Sequence, residues 1–283
     1  MPYTMPPEWA PHAATWFSWP HNTETWPGDK LAHCEATLAQ AVVALRTGEA
    51  VHINVLDAAH EAHVRALVEA APNPTGLPVR FPLHLHLIPT NDAWCRDHGA
   101  IFVTDPANAD APLVATVWGF NAWGGKYPPF DLDDAVADRM AAALGVPTVD
   151  GGMVLEGGSI EVNGAGVLIT TESCLLNPNR NPGLTRAEID AKIKAALGVH
   201  TILWTDADLA GDDTDAHIDN VARFVSEDTV VALVQPDEAD PDHAPLKANA
   251  DRLRAMRFPD GHPLRVIEIT APAPVVVDGV RLP

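Results

Sequence analysis

The sequence predicts a mixed α/β fold in which short strands alternate with single helices. The strand prediction rests on short apolar runs rich in Val, Ile and Thr, among them "VHINV", "LHLHLIP", "LVATVW", "VLITT" and "TVVALV". The helix prediction rests on segments with helical apolar periodicity: "DKLAHCEATLAQAVVALRTG", "DAAHEAHVRALVEAA", "DLDDAVADRMAAALG", "TRAEIDAKIKAALG" and "APLKANADRLRAM". Alternation of such elements is typical of α/β domains.

A regular spacing of polar turns predicts a repeated unit. Asp97, Glu156 and His217 each lie in a polar turn between two apolar runs, with gaps of 59 residues (97 to 156) and 61 residues (156 to 217). A near-constant gap in the same context indicates a structural repeat of about 60 residues. Several such units around one axis would bring their polar turns together at the centre.

Composition limits the compartment and the partners. The 283 residues are 47% apolar, enough for a substantial core. The net charge of −20 argues against nucleic acid and anionic membranes as partners, and it favours a small cationic ligand. We recognise no signal peptide or membrane-length apolar run, and three cysteines without a C-x-x-C pair indicate a reducing compartment. We therefore expect a soluble cytoplasmic protein; the residues leave a homo-oligomer open.

The stretch "DDTDAHIDN", residues 212–220, holds four aspartates and one histidine. It is either a solvated acidic loop or a site for a cation, which could be a metal ion or an organic base. In a strand, His217 and Asp219 would share one face because Ile218 lies between them. The spacing matches neither a calcium-binding loop nor a zinc helix, so we predict no metal. Nor do we find a phosphate loop, a dinucleotide fingerprint or a nucleophile elbow, and we predict no cofactor.

Two further motifs contain candidate site residues. In "NDAWCRDHG", the Asp97 carboxylate suits the two parallel hydrogen bonds of a guanidinium, and Trp94 could stack on the cation. The alternatives are a surface loop for Asp97 and a core position for Trp94. In "LEGGSIEV", Glu156 precedes two glycines that allow a ligand to approach the backbone closely. The segment "WGFNAWGGKY" could wall a pocket or only pack, and "CLLNPNRNP" indicates turns in which Cys174 is structural.

Taken together, five segments resemble the agmatine deiminase family: "MPPEWAPHAATWFSWP", "NDAWCRDHG", "FNAWGGKYPPFDLDD", "LEGGSIEVNGAGVLITTESCLLNPNRNPG" and "DDTDAHIDNVARFV". That family belongs to the guanidine-modifying pentein superfamily, with the bacterial-type peptidyl-arginine deiminases as relatives. The resemblance implies a pentein α/β-propeller of pseudo-fivefold ββαβ-type modules, forming a single domain over residues 1–283. It also implies hydrolysis of agmatine to N-carbamoylputrescine and ammonia, a step of polyamine metabolism in putrescine biosynthesis, without metal or cofactor.

The resemblance assigns roles to particular residues. Asp97 and Asp219 would bind the guanidinium nitrogens, and Trp94 would line the substrate pocket. Glu156 would add an acceptor and orient His217, the general acid and base. A cysteine thiolate would attack the guanidinium carbon, ammonia would leave, and water would hydrolyse the covalent thiouronium intermediate.

The chain also departs from the family. The family's nucleophile lies in a "G-x-H-C" segment near the carboxyl terminus, and none of Cys34, Cys95 and Cys174 matches it. We therefore expect the C-terminal module to be incomplete in this chain and the nucleophile to lie outside it; a chain that truly ends at 283 would be a non-catalytic guanidinium-binding fragment. Deimination of arginine or peptidyl-arginine is the alternative within the same fold. Ala216 stands where the family usually has Gly, which costs about 1 kcal/mol if the residue needs a positive φ.

Overall fold

The computed structural model describes residues 3–108, 112–206, 208–277 and 279–282. The chain divides into two compact units, each with its own contacts. The first unit comprises Met1–Ala10, Ile101–Tyr127 and Val146–Pro283, and the second comprises Pro11–Ala100 and Pro128–Gly145. Within the described ranges, we find no helix with the length and apolarity that crossing a bilayer requires.

Strands and helices alternate as predicted. The strands are β1 (Ala14–Ser18), β2 (Ala50–Val55), β3 (Leu83–Leu87), β4 (Ile101–Thr104), β5 (Leu113–Gly119), β6 (Thr148–Val154), β7 (Ile160–Val162), β8 (Val167–Thr171), β9 (Thr201–Thr205), β10 (Ala222–Ser226), β11 (Thr229–Val234), β12 (Arg265–Thr270), β13 (Val275–Val277) and β14 (Val280–Leu282). The helices are α1 (Lys30–Leu45), α2 (Ala58–Ala70), α3 (Cys95–His98), α4 (Ala122–Gly125), α5 (Asp131–Asp134), α6 (Val136–Leu144), α7 (Glu172–Leu175), α8 (Arg186–Leu197) and α9 (His243–Ala255).

All five predicted helices are present, with one difference. The segment 131–145 forms two helices, α5 and α6, instead of one. Helix α8 begins with a capping box, in which the Thr185 side chain accepts from the Glu188 N–H and the Glu188 carboxylate accepts from the Thr185 N–H. Gly198 ends α8 in the left-handed conformation, and a Cβ there would lie 1.8 Å from the Tyr3 carbonyl oxygen.

The second unit is built on a parallel sheet of order β1-β2-β3. Alternation along β2 buries Val51, Ile53 and Val55 in a core that the α1 and α2 side chains complete. Full burial of one such side chain stabilises the fold by roughly 1.5–3 kcal/mol. The intervening His52 lies on the opposite face, where its Nδ1 is 2.9 Å from Nε2 of His86.

The first unit repeats one sheet pattern three times. The orders are β4-β5-β6, β7-β8-β9 and β10-β11-β12. In each sheet the first two strands are antiparallel, and the second and third are parallel. These sheets begin at Ile101, Ile160 and Ala222, so the predicted spacing of about 60 residues corresponds to a recurring strand arrangement.

Candidate active site

Glu156 occupies a tight turn between β6 and β7 in the first unit. Its carbonyl oxygen accepts hydrogen bonds from the Ser159 N–H (3.0 Å) and the Ser159 hydroxyl (2.6 Å), which closes the 3₁₀ turn Gly157–Ser159. The side chain is 0% exposed. A carboxylate taken out of water in this way needs compensating partners.

Arg180 supplies the main partner. Its Nε donates to Oε1 of Glu156 at 2.5 Å, its Nη1 donates to Asp215 Oδ2 at 2.7 Å, and its Nη2 donates to the Thr214 carbonyl at 3.0 Å. The guanidinium therefore connects Glu156 to the acidic stretch 212–220. Burial raises the pKa of Glu156, and the charge and hydrogen bond of Arg180 oppose that rise.

One aspartate of the acidic stretch pairs with cations of the chain, and another accepts backbone N–H groups. Asp212 accepts from the Thr214 and Ala216 N–H groups and so shapes the loop. Asp215 accepts from Lys126 Nζ (2.8 Å) as well as from Arg180. Burial alone would raise the pKa of Asp215, but hydrogen bonds from Lys126, Asn179 and Arg180 outweigh it and lower the pKa. Two aspartates of the stretch thus hold the loop in shape.

His217 follows a strained segment of backbone. Asp215 and Ala216 have φ values of 63° and 68°, so Ala216 adopts the left-handed conformation that favours glycine. The Thr171 hydroxyl donates to the Ala216 carbonyl at 2.6 Å, and the His217 N–H donates to Thr214 Oγ1 at 3.1 Å. These bonds fix the backbone that presents the His217 imidazole, which is 2% exposed.

The strand geometry expected for His217 and Asp219 is wrong. Residues Ile218–Asn220 form a 3₁₀ turn that starts from His217, closed by a hydrogen bond from the Asn220 N–H to the His217 carbonyl at 3.3 Å. The polar sequence favours this compact turn over an extended strand, and β10 begins only at Ala222. Asp219 is half-buried in the turn.

Three buried side chains meet at this point. The carboxylate of Glu156, the thiol of Cys174 and the imidazole of His217 offer ligand atoms that all lie within 4.8 Å of one another. Cys174 belongs to the short helix α7, which directly follows β8. The structure therefore brings together two predicted site residues and a cysteine that sequence reasoning treated as structural only.

Trp94 and Asp97 lie in the second unit. Trp94 is the N-cap of α3, is 40% exposed and stacks on Trp26 with ring centroids 6.1 Å apart, so it is not a core residue. Asp97 is half-buried in α3. Burial raises the pKa of the neighbouring Cys95 thiol to about 12; the charge on Asp97 contributes to the rise, whereas a hydrogen bond with Ser18 opposes it.

The loop before Trp94 is anchored by a buried aspartate. Asp133 Oδ1 accepts from the N–H groups of Asn91 (2.7 Å) and Asp92 (3.3 Å). In return, Asn91 Oδ1 accepts from the N–H groups of Leu132 (2.8 Å) and Asp133 (3.1 Å). The motif "FDLDD" thus contributes a clamp on the loop that leads into α3.

The segment "WGFNAWGGKY" packs and also supports the acidic stretch. Trp123 is buried against Phe120 in an edge-to-face contact with centroids 5.4 Å apart. The Tyr127 hydroxyl donates to Asp213 Oδ2 at 2.5 Å, and this hydrogen bond raises the pKa of Tyr127 to about 12. Gly124, at φ 90°, is required because a Cβ there would lie 2.4 Å from the Asn179 side chain.

Sequence reasoning missed Arg180 and Lys126. Both lie far along the chain from the carboxylates that they contact, within motifs that predict only turns or packing. One signal was available: a buried carboxylate requires a cation or several donors, and bases are scarce in this acidic chain.

Comparison with known proteins identifies the family. The profile of the Porphyromonas-type peptidyl-arginine deiminases matches residues 4–283. The agmatine deiminases of Ectopseudomonas mendocina and Stutzerimonas stutzeri are each 37% identical to this chain, over 96% of it and 72% of their own length.

Solved structures agree. The agmatine deiminase of Enterococcus faecalis superposes with a TM-score of 0.83 at 29% identity, covering 98% of this chain and 73% of that one. A cysteine-to-serine variant of the C. jejuni agmatine deiminase with substrate bound superposes with a TM-score of 0.80 at 30% identity, covering 99% and 77%. The resemblance inferred from the motifs is confirmed: the chain has the mixed α/β fold of these proteins and belongs to the Porphyromonas-type peptidyl-arginine deiminase family, with agmatine deiminases among its relatives.

Proposed function

We propose that the protein is an agmatine deiminase, a hydrolase that converts agmatine and water to N-carbamoylputrescine and ammonia. The observation that carries the proposal is the buried Glu156 carboxylate beside His217, in a chain 37% identical to agmatine deiminases over nearly its whole length. A buried carboxylate and an imidazole in contact with one ligand can supply both charge recognition and proton transfer.

The proposed mechanism divides binding from proton transfer. Asp97 and Asp219 accept hydrogen bonds from the substrate guanidinium and keep it charged, so its central carbon stays electrophilic. Trp94 lines the pocket, and Glu156 accepts a further hydrogen bond and orients His217. A thiolate attacks the carbon, and the C–N bond breaks as His217 delivers a proton to the leaving ammonia. Water, deprotonated by His217, then attacks the thiouronium carbon and releases the thiolate.

We further propose that the attacking thiolate is none of the three cysteines in residues 1–283. Burial raises the pKa of Cys95 to about 12, so this thiol is protonated at neutral pH. Burial also raises the pKa of Cys34, which lies on helix α1 of the second unit. Cys174 lies in the turn segment "SCLLNP", which lacks a G-x-H-C pattern. The resemblance assigns the nucleophile to a G-x-H-C segment.

The same proposal covers the architecture and the compartment. Three sheets of identical strand order support a pentein α/β-propeller that forms a single domain, because such folds repeat one ββαβ-type module. Three free cysteines and an acidic composition support a cytoplasmic location.

Agmatine is favoured over arginine and peptidyl-arginine by two observations. Two relatives that are 37% identical to this chain are named agmatine deiminases. The chain carries a net charge of −20, which attracts doubly charged agmatine more strongly than arginine, whose net charge is +1. A pocket for arginine would in addition require a cation to pair with the substrate carboxylate.

The test compares substrates and detects the covalent step. Purified protein is incubated with agmatine, arginine or a peptide containing arginine, and ammonia and the carbamoyl product are quantified. We expect release of ammonia from agmatine at the highest kcat/KM, with no loss of activity in a chelator. A haloacetamidine should add one adduct to the intact mass, and agmatine should block it. Preference for arginine would establish the alternative; neither product nor adduct would refute deimination.

A further inference from the structure

We propose that Glu156, Cys174 and His217 form a binding site for a thiophilic divalent cation such as Zn²⁺, and that this cation inhibits the enzyme. The metal site is inferred from the positions of the three side chains alone, whereas the inhibition also depends on the proposed deiminase function. The three side chains come from separate segments, so no linear metal-ligand motif exposes them. Within the described residues, they are the only group of three His, Cys, Asp or Glu side chains arranged in this way.

The donor atoms and their spacing suit zinc. A thiolate sulfur, an imidazole nitrogen and a carboxylate oxygen are the three ligand types that Zn²⁺ takes in proteins. With metal–ligand distances of about 2.0–2.3 Å, tetrahedral ligand atoms lie roughly 3.3–3.6 Å apart. The three atoms here lie within 4.8 Å of one another, so closure by about 1 Å completes the site. A set with one oxygen does not suit Ca²⁺ or Mg²⁺, which require several.

The second oxygen of Glu156 supplies an independent indication of a ligand. Oε1 accepts the hydrogen bond from Arg180, which fixes the carboxylate plane. Oε2 is buried and accepts no hydrogen bond from any of the described residues. A buried carboxylate oxygen that accepts no hydrogen bond is energetically unfavourable, and coordination to a metal ion would compensate for the missing hydrogen bond.

The local charge allows a cation despite the presence of Arg180. The guanidinium contacts Glu156 and also Asp215, whose other oxygen contacts Lys126, so two cations already face two carboxylates. Metal binding adds one thiolate to this balanced set, because Cys174 releases its proton when the sulfur–metal bond forms. The cluster then carries one extra positive charge, which the acidic chain disperses more easily than a basic one.

Occupation of this site would stop the proposed reaction. The metal would take the lone pair of His217 and the second oxygen of Glu156, and both groups would be lost to acid–base chemistry. Three protein ligands leave a fourth position for water, so the bound ion would also exclude the substrate guanidinium. Substrate and metal should therefore compete.

Direct binding is tested with Co²⁺, which reports thiolate ligation by a charge-transfer absorption band. We expect the band in the metal-free wild-type protein and in Cys95→Ser, a control that removes a half-buried thiol of the second unit, and displacement of Co²⁺ by Zn²⁺. We expect no band in Cys174→Ser. His217→Gln keeps the thiol and removes the nitrogen, so its affinity for Co²⁺ should fall at least about tenfold. A band that persists in Cys174→Ser, or no band in folded wild-type protein, would overturn the site.

Inhibition is measured separately, with agmatine turnover as the readout. We expect Zn²⁺ to raise the apparent KM for agmatine in the wild-type protein and in Cys95→Ser, with full reversal by a chelator. In Cys174→Ser the half-inhibiting Zn²⁺ concentration should rise at least about tenfold. Equal sensitivity of Cys174→Ser would refute the inhibition. A protein that binds Co²⁺ through Cys174 but never deiminates agmatine would refute the proposed function and leave the metal site intact.

Discussion

Glu156 in the first unit and Asp133 in the second are both buried carboxylates next to a predicted site segment, but their partners differ. Glu156 accepts from the Arg180 guanidinium, which also pairs with Asp215. Asp133 accepts from two backbone N–H groups of the loop before Trp94, and Nδ1 of the buried His98 lies 3.5 Å from the same oxygen. A side-chain cation can be removed by one substitution and leaves a buried charge behind, whereas backbone donors cannot be mutated. The first unit therefore depends on single side chains where the second depends on loop geometry.

Removal of Arg180 should have the largest effect. Arg180→Met leaves Glu156 buried without its cation, which should reduce the free energy of unfolding by about 3–5 kcal/mol in urea titrations. Arg180→Lys keeps the charge but cannot reach both carboxylates, so an intermediate loss is expected. The control is Arg65→Met, whose exposed pair with Glu61 should be worth less than about 0.5 kcal/mol. Equal losses of stability in Arg180→Met and Arg65→Met would show that burial of Glu156 does not make its cation essential.

A second buried carboxylate–guanidinium pair of the first unit, Glu161 with Arg223, should make the stability of the protein depend on pH. Burial raises the pKa of Glu161 to about 7, opposed by Arg223 and by the Phe224 N–H. A raised carboxyl pKa favours the folded state below the unfolded pKa, and that contribution is lost as pH rises to the folded pKa. Relative to wild type, Glu161→Gln should therefore gain about 3 kcal/mol of stability between pH 4.5 and 7. Parallel pH profiles of the two proteins would show that Glu161 titrates normally.

The backbone clamp of the second unit should have a smaller effect. Asp133→Ala removes the acceptor for two N–H groups and should cost about 1–3 kcal/mol in the same urea titrations. Asp131→Ala, an exposed residue of the same helix α5, should change stability by less than about 0.5 kcal/mol. If Asp133→Ala lowered the free energy of unfolding as much as Arg180→Met, backbone N–H groups and a side-chain cation would stabilise these two buried carboxylates equally.

The smallest expected effect concerns backbone strain beside His217. Ala216→Gly relieves a φ of 68° and should stabilise the protein by up to about 1 kcal/mol. Ala222→Gly, at an equally buried strand position, should instead destabilise by about 1 kcal/mol. Thermal unfolding of both variants checks the sign, and destabilisation of similar size in both would show that Ala216 is unstrained.

Local patterns explain which parts of the fold were predictable. The helices α1, α2, α8 and α9 were correctly predicted because apolar periodicity and capping residues act within one segment. Strand β1 was not predicted, because it lies in a Trp- and Pro-rich stretch. Strand β7 was expected only as an apolar run after Glu156, because its three residues are too few for a clear alternation.

The candidate site was predictable as residues but not as geometry. Glu156 and His217 were found from their motifs, and the structure places them together with Cys174. Arg180 was missed because its partners are reached through space and "CLLNPNRNP" predicts only turns. The expected strand at His217 was wrong because a 3₁₀ turn with local hydrogen bonds replaces extended pairing there.

The order in which the chain is made matters for the first unit. Thr4 bonds to Thr104 in both directions, and the Met5 N–H donates to the Leu197 carbonyl. Thr4 must therefore wait for a partner made 100 positions later, and Met5 for one made nearly 200 positions later, about 10–40 s at usual rates of synthesis. During that interval the second unit can pair β1, β2 and β3, whose residues are all translated first. Nascent chains of this protein should thus carry an unpaired leading segment that chaperones can bind.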